Sequence, residues 1–372
     1  MDDAIPEPDR VEGAPHPRET ERLIGQGAAE AAFLATFRQG RLPHGWLLTG
    51  PRGVGKATLA WRIARFLLAT PEDDGGFFAP PPPTSLDIAP DHPVARRMRA
   101  LSEGRMFLLR RPWDDKEKRL KQEITVDEVR KMKGFFGFSA ADGGRRVAII
   151  DSADEMTGSA ANALLKLLEE PPAGVTLLLV SHQPSRLLPT IRSRCRELRL
   201  APVSAEDLAL ALSAAGAAQD NPQALAQLSG GSVGEAIRIA NLEGLALYAR
   251  IVALLATLPR LDRAGALALA EAGAGRGADA KFDLILRLLD LLLARLARAG
   301  IAGRLPPEAA PGEAALLARL SPDDRTARGW AELAQALSSR ARRGKAVNLD
   351  PAALLMDTVL RIDETAGTLA HR

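Results

Sequence analysis

Cysteine is nearly absent: Cys195 is alone in a chain of 372 residues. That excludes an intrachain disulfide and any zinc site built on several thiolates, and it fits a reducing, cytoplasmic compartment. Aromatic residues are scarce as well, at 4%, while alanine and leucine abound, so most of the chain is expected to be helical. No uninterrupted apolar run is present. The most apolar stretch, residues 282–299 (FDLILRLLDLLLARLARA), is broken by Asp283, Arg287, Asp290, Arg295 and Arg298, and reads as a packed amphipathic helix, not a membrane span. The first twenty residues are acidic and proline-rich, unlike a secretory signal, so a soluble cytoplasmic protein without membrane contact is expected. Neither sign of charge dominates. A net charge of +3 permits nucleic-acid contact without demanding it.

What is present is organised around residues 145–195, RRVAIIDSADEMTGSAANALLKLLEEPPAGVTLLLVSHQPSRLLPTIRSRC. Val147–Ile150 is a short apolar run ending in Asp151, as a buried parallel strand would. Ser159 opens a helix with Ala161, Leu164, Leu165 and Leu168 on one face, and Pro171-Pro172 ends it. Val175–Val180 is a second buried strand, after which Thr190–Cys195 (TIRSRC) sets two arginines on a short turn.

A second motif lies upstream. His44–Thr49 reads as a strand running into Gly50-Pro-Arg-Gly-Val-Gly-Lys56, with a helix from Leu59 to Leu68 behind it. Strand, glycine-rich loop and helix form the context of a phosphate-binding loop. The glycines let backbone N–H groups face phosphates, the helix N-terminus adds positive potential, and Lys56 reaches the terminal phosphates. The candidate nucleotide-binding residues are Gly50, Gly53, Gly55, Lys56, Thr58 and Asp151, and ATP is the ligand their chemistry would take. Two parts of a hydrolytic site are missing. The position after Lys56, where a hydroxyl would ligate magnesium, is Ala57, and Thr58 comes one place late. Asp151 stands where an aspartate holds magnesium, but the following residue is Ser152, which cannot act as a carboxylate base. Asp154 and Glu155 read as solvated loop acids.

Along the rest of the chain, residues 1–18 form a proline-bearing lead-in expected to be loosely ordered. Glu19–Arg38 looks helical, residues 70–93 form a proline-rich insertion, and Met106–Leu109 reads as a strand. Thr125 with Glu128, and Ser204 with Asp207, have the spacing of helix-opening caps. Beyond Leu200 the strand signal disappears. The boundaries expected are an α/β domain over 19–200, a small helical domain over 201–241 and an all-helical block over 242–372. Residues 96–121 are rich in lysine and arginine and fit either a phosphate-facing patch or a solvated face; Arg340, Arg342, Arg343 and Lys345 carry the same two readings.

Taken together, Gly50–Lys56, Asn162–Pro172 (NALLKLLEEPP) and Ser193–Cys195 (SRC) resemble the clamp-loader branch of the AAA+ ATPases. The resemblance covers about Glu19–Ile239. It implies an α/β P-loop AAA+ domain with a parallel sheet, a helical lid and a helical collar that assembles a ring. It also implies partners: ATPase (tau/gamma) and delta sister subunits, and through them a sliding clamp and primed DNA. Arg194 matches the branch's arginine finger, which acts in trans on a neighbour's ATP. The lid arginine that senses γ-phosphate in active members appears here as Gly234, a third loss beside Ala57 and Ser152. The four-cysteine zinc module of many relatives is absent. The resemblance therefore implies a subunit that does not hydrolyse ATP itself within a DNA polymerase complex. Three rivals stay open: an active ATPase using Thr58 and Asp154 as displaced substitutes, a nucleotide-binding switch without turnover, and a plain DNA-binding protein.

Overall fold

The computed structural model describes residues 6–71, 81–137, 144–275, 277–347 and 349–370. They form two compact units, Met1–Ala218 with Gly231–Glu235, and Gln219–Gly230 with Ala236–Arg372.

The first unit is built on seven strands: β1 (Gly45–Thr49), β2 (Met106–Arg110), β3 (Trp113–Asp114), β4 (Arg119–Leu120), β5 (Arg146–Asp151), β6 (Val175–Val180) and β7 (Arg196–Arg199). Five of them make one parallel sheet in the order β2-β5-β6-β1-β7, while β3 and β4 pair as a small antiparallel ribbon. The three central strands are apolar on both faces because helices cover both. Trp46, Leu48, Val147, Ile149, Leu178 and Val180 pack under α1 (Gly27–Arg38) and α2 (Lys56–Ala69). The alternate residues Leu47, Ala148, Ile150, Leu177 and Leu179 pack on the opposite side. On the first face α3 (Pro93–Arg99) lies with the α2 layer, whereas α4 (Val126–Gly137) and α5 (Gly158–Glu169) cover the second. Two more helices complete the unit, α6 (Pro189–Arg194) and α7 (Ala205–Ala214). The Ser204 hydroxyl caps α7 by accepting from the Asp207 N–H (3.0 Å), as its spacing predicts.

The second unit is helical throughout its described residues. It holds α8 (Pro222–Ser229), most of α9 (Val233–Asn241), α10 (Gly244–Ala256), α11 (Arg263–Ala272), α12 (Asp279–Ala302), α13 (Glu313–Leu320), α14 (Asp324–Ala346) and α15 (Pro351–Ala370). Its axis is α12, whose Leu284, Ile285, Leu288, Leu289, Leu292, Leu293 and Leu296 recur at helical spacing and are buried. Among the described residues no single helix is long and apolar enough to cross a membrane.

Four expectations change. The helix expected from Glu19 begins at Gly27, because Gly25 adopts φ +77 and the Gln26 side chain is spent on tertiary bonds. The lead-in is packed over residues 6–18: Arg110 pairs with Asp9 at 2.8 Å, Arg65 donates to the Arg18 carbonyl at 2.6 Å, and His16 is buried. The TIRSRC segment is not an open turn but α6 followed directly by β7, a strand that charged residues had hidden. Of the proline-rich insertion, residues 72–80 lie outside the described residues. The part after them is tied down, with Leu86 buried and Asp87 paired to Arg62 at 2.9 Å.

Candidate functional site: a P-loop and its surroundings

The strand β1 delivers the glycine-rich loop to the end of the sheet, and α2 starts at Lys56. Three conformations there require glycine: Gly50 has φ +140, Gly53 φ +79 and Gly55, the residue before α2, φ +102. The loop is also closely packed. A Cβ on Gly53 would lie 2.4 Å from Ser232 Oγ, and one on Gly55 would lie 2.5 Å from Leu23 Cδ1.

The lysine does not point into an open cradle. Lys56 is buried, and its Nζ donates to the Gly50 and Pro51 carbonyls at 2.7 and 2.6 Å. Burial pushes its pKa down to about 8, against the opposing pull of Asp151 and Asp154. Asp151 ends β5 between Arg110 of β2 and Val180 of β6. Burial pushes its carboxyl up to about 7, and the nearby Asp9 carboxylate adds to the rise. Ser152 Oγ donates to Asp151 Oδ1 (3.1 Å) and lies 2.9 Å from His182 Nε2. Burial, with Lys56 nearby, lowers the His182 pKa to about 4, so the ring is neutral.

The two loop acids are structural. Asp154 Oδ1 accepts the His182 N–H at 2.9 Å, and Glu155 pairs with Arg111 at 2.8 Å. Neither is free to replace the missing base. Thr58 lies half-buried inside α2, two positions past the loop lysine. Gly234 faces the loop through its backbone: its N–H donates to the Gly53 carbonyl at 2.9 Å, and a Cβ there would lie 3.0 Å from Gly53 Cα. An arginine at 234 would have to push the loop aside.

Gly50, Gly53, Gly55, Lys56 and Asp151 are thus brought together, and Arg194 stands apart from them. It occupies the last turn of α6, where its guanidinium donates to the Thr190 carbonyl (3.0 Å) and pairs with Glu169 (2.8 Å). This pair joins the LLEEPP and SRC motifs. One residue was missed as a site element. Gln26 is buried and donates from Nε2 to the Val54 carbonyl (3.2 Å) and the Ala201 carbonyl (2.7 Å), bracing the loop against the exit of β7. The only sequence signal was a glutamine after Leu23-Ile24-Gly25 in an apolar context.

As folded, these residues do not fit a magnesium nucleotide. The ammonium that would meet phosphate is turned onto the loop's own carbonyls, alanine stands at the metal-ligating position, and burial disfavours the charged form of Asp151. Ala57→Ser is accordingly expected to leave the chain's own ATP turnover at background, because Ser152 still supplies no base. A tenfold gain in phosphate release would contradict this. Asp151 also gives a pH prediction. Its folded pKa is raised above the unfolded value, so it carries a penalty that grows between the ordinary carboxyl value of 3.8 and about 7 and is complete above that. Asp151→Asn should therefore raise stability by about 1–3 kcal/mol at pH 8 and change it little at pH 4, measured by urea unfolding.

Half of the ten basic residues of the stretch are paired within the fold. Arg97 and Arg105 both pair with Glu103, Arg110 with Glu7 and Asp9, Arg111 with Glu155, and Arg119 with Glu117. In the second cluster Arg340 pairs with Asp357, while the side chains of Arg342 and Lys345 lie outside the described residues.

A parallel sheet in this order, with the P-loop after β1 and an acid-ended β5 one strand removed, defines a P-loop domain of the AAA+ class. Sequence comparison narrows the class. Residues 25–204 match the family model described as DNA polymerase III, delta subunit. The chain is 39% identical over 197 residues to the delta-prime subunit of DNA polymerase III from Pseudomonas aeruginosa, covering 51% of this chain and 53% of the relative. It is 32% identical over 208 residues to delta-prime of Escherichia coli K12, covering 56% and 57%. The gamma subunit of Buchnera aphidicola is 28% identical over 192 residues, covering 52% and 47%. The chain spans about half the length of these curated relatives, and over that half its resemblance is to delta-prime and gamma subunits of DNA polymerase III.

Proposed function

We propose that this chain is a delta-prime subunit of the DNA polymerase III clamp loader, which does not hydrolyse ATP and offers Arg194 to the ATP of a neighbouring tau/gamma subunit. On this reading residues 19–200 are the AAA+ domain, 201–241 the lid and 242–372 the collar that joins it to tau/gamma and delta in the cytoplasm. The sliding clamp and primed DNA are met through the assembled ring. The chain is then no enzyme alone but part of a DNA-directed DNA polymerase complex, without zinc.

The observation that carries the reading is an asymmetry. The chain's own lysine is folded onto Gly50 and Pro51, whereas Arg194 sits at a helix end with a surface carboxylate as its partner, 36% exposed. An arginine so placed can leave Glu169 for a phosphoryl group at little cost, because exposed pairs contribute about 0–1 kcal/mol. The test is DNA-stimulated ATP turnover of the reconstituted loader with Arg194→Ala against the unaltered subunit.

A further inference from the structure

The proposed function uses Arg194 and leaves a hollow beside it without a role. A cavity of about 410 Å³ lies between the C-terminal ends of α4 and α5. Phe136, Leu167 and Pro172 give it an apolar floor, and the first two are buried. Phe136 is fixed by Arg146, whose guanidinium lies 5.5 Å from the ring and donates to the Phe136 carbonyl at 3.0 Å. Leu167 belongs to the core on the second face of the sheet. The floor is therefore set by the domain's own packing, before any partner arrives.

The charges around the cavity are sorted along the helices. Glu169 and Glu170 stand at the end of α5, whereas Lys166 on that helix and Lys133 on α4 lie about one turn back, roughly 5 Å along each axis. All four side chains are exposed. Among the described residues only Glu169 of these four has an ion-pair partner, the Arg194 guanidinium at 2.8 Å. Glu169 thus serves the cavity and the arginine alike, and the two share one wall.

We propose that this cavity is the socket for the ATP-carrying neighbour, which inserts an apolar side chain against Phe136 and Leu167 and sets a basic one against Glu169 and Glu170. The inference rests on the proposed function and deepens it. Its supports are continuity with Arg194 and the charge that the arginine uncovers when it moves. As Arg194 turns to a phosphoryl group, Glu169 loses its counter-ion and stands beside the unpaired Glu170. The carbonyls at the end of α5 add to the negative potential there. A basic side chain from the neighbour restores the balance, so docking and release of the arginine favour each other. An acidic side chain in that place would face both carboxylates. The apolar floor anchors the contact, because an apolar side chain seated in a preformed pocket excludes water from the charges around it.

The experiment uses the full chain in the reconstituted loader, with ATPγS on the tau/gamma subunits and affinity read by titrating this subunit into the rest of the complex. Glu170→Arg, at an exposed position, is expected to weaken assembly at least tenfold, and Lys133→Glu to leave it within twofold. At saturating subunit, ATP turnover of both complexes should stay within twofold of the unaltered loader, since Arg194 is intact. Gly137→Cys tests occupancy directly, because Gly137 lines the cavity and has open space for a Cβ. Alkylation of that thiol, followed by peptide mass spectrometry, should slow at least tenfold on assembly. Assembly of Glu170→Arg as tight as that of the unaltered chain would overturn the proposal. So would a Gly137→Cys thiol that stays equally reactive in the ring. Weakening by Lys133→Glu alone would give the cavity an acidic occupant and overturn it too. The finger and the socket fail separately. Arg194→Ala without effect on turnover removes the finger, whereas the affinities and the alkylation rate decide the socket. An unaltered chain that does not join tau/gamma at all overturns the proposed function and the socket with it.

Discussion

Arg194→Ala is expected to cut DNA-stimulated ATP turnover at the one site it serves in the reconstituted loader by at least tenfold while the complex stays assembled. A guanidinium supplied in trans is worth roughly 10³–10⁵ in rate at the site it serves, or about 4–7 kcal/mol of barrier. The ring average falls less, because other ATP sites keep their own arginines. The fold should not suffer. What the substitution removes is one hydrogen bond to Thr190 and an ion pair whose members are 36% and 47% exposed. Arg194→Lys should not rescue turnover, since an ammonium lacks the planar fork that spans two phosphate oxygens. Glu169→Gln, which releases the arginine from its resting partner, should change turnover by no more than about twofold. Arg192→Ala is the internal control. If that variant loses turnover and Arg194→Ala does not, the finger has been assigned to the wrong arginine; if neither does, the chain contributes no finger. Sedimentation of each complex separates lost chemistry from lost assembly.

The P-loop and the acid-ended strand were legible in the sequence because their signals are local. A strand, a glycine loop and a helix in immediate succession specify one geometry, and Val147–Asp151 is apolar on both faces because both are covered. The ordering of the lead-in was illegible for the opposite reason. Four prolines among charges read as loose chain, and the partners that order it, Arg65 and Arg110, lie far along the sequence. Strand β7 (RELR) was hidden because it is an edge strand with Leu198 as its one buried residue, so alternation never shows. The helix over 19–38 was overextended because Gln26 looks helix-compatible until its bonds to Val54 and Ala201 are seen. For Arg194, singled out from the SRC motif, no spacing rule pointed to Glu169 as its partner.

Two of the three departures from an active ATP site, Ser152 and Gly234, are absorbed into packing, and the retained loop lysine is turned inward with them. Ser152 is bonded to Asp151 and close to His182, Gly234 closes on Gly53, and Lys56 has taken the Gly50 and Pro51 carbonyls. Restoring one residue therefore does not restore the site, because the neighbouring contacts have been rebuilt around its absence. Gly234→Arg would meet the loop backbone before it could reach a phosphate.

In the helical unit the largest effect is expected at Glu313. Its side chain is fully buried, and so, at 3% exposure, is that of Arg295 on α12. Glu313 Oε1 accepts from Arg295 Nε and from the Tyr248 hydroxyl, both at 2.5 Å, while Oε2 accepts the Ala309 N–H at 2.6 Å. Arg295 donates further to the Pro307 carbonyl at 2.5 Å. Burial, reinforced by the adjacent carboxylate, raises the Tyr248 pKa far above its ordinary value. One carboxylate thus ties α10, α12, α13 and the segment before α13 together. Glu313→Ala leaves a buried guanidinium without its counter-charge, which costs about 3–5 kcal/mol. Adding Arg295→Met removes that stranded charge and should recover more than half of the loss, so the two substitutions must be non-additive. Urea unfolding followed at Trp330, buried in α14, reports this unit. An additive double variant, or a Glu313→Ala loss below 1 kcal/mol, would show that the helices hold together by apolar packing around α12 alone.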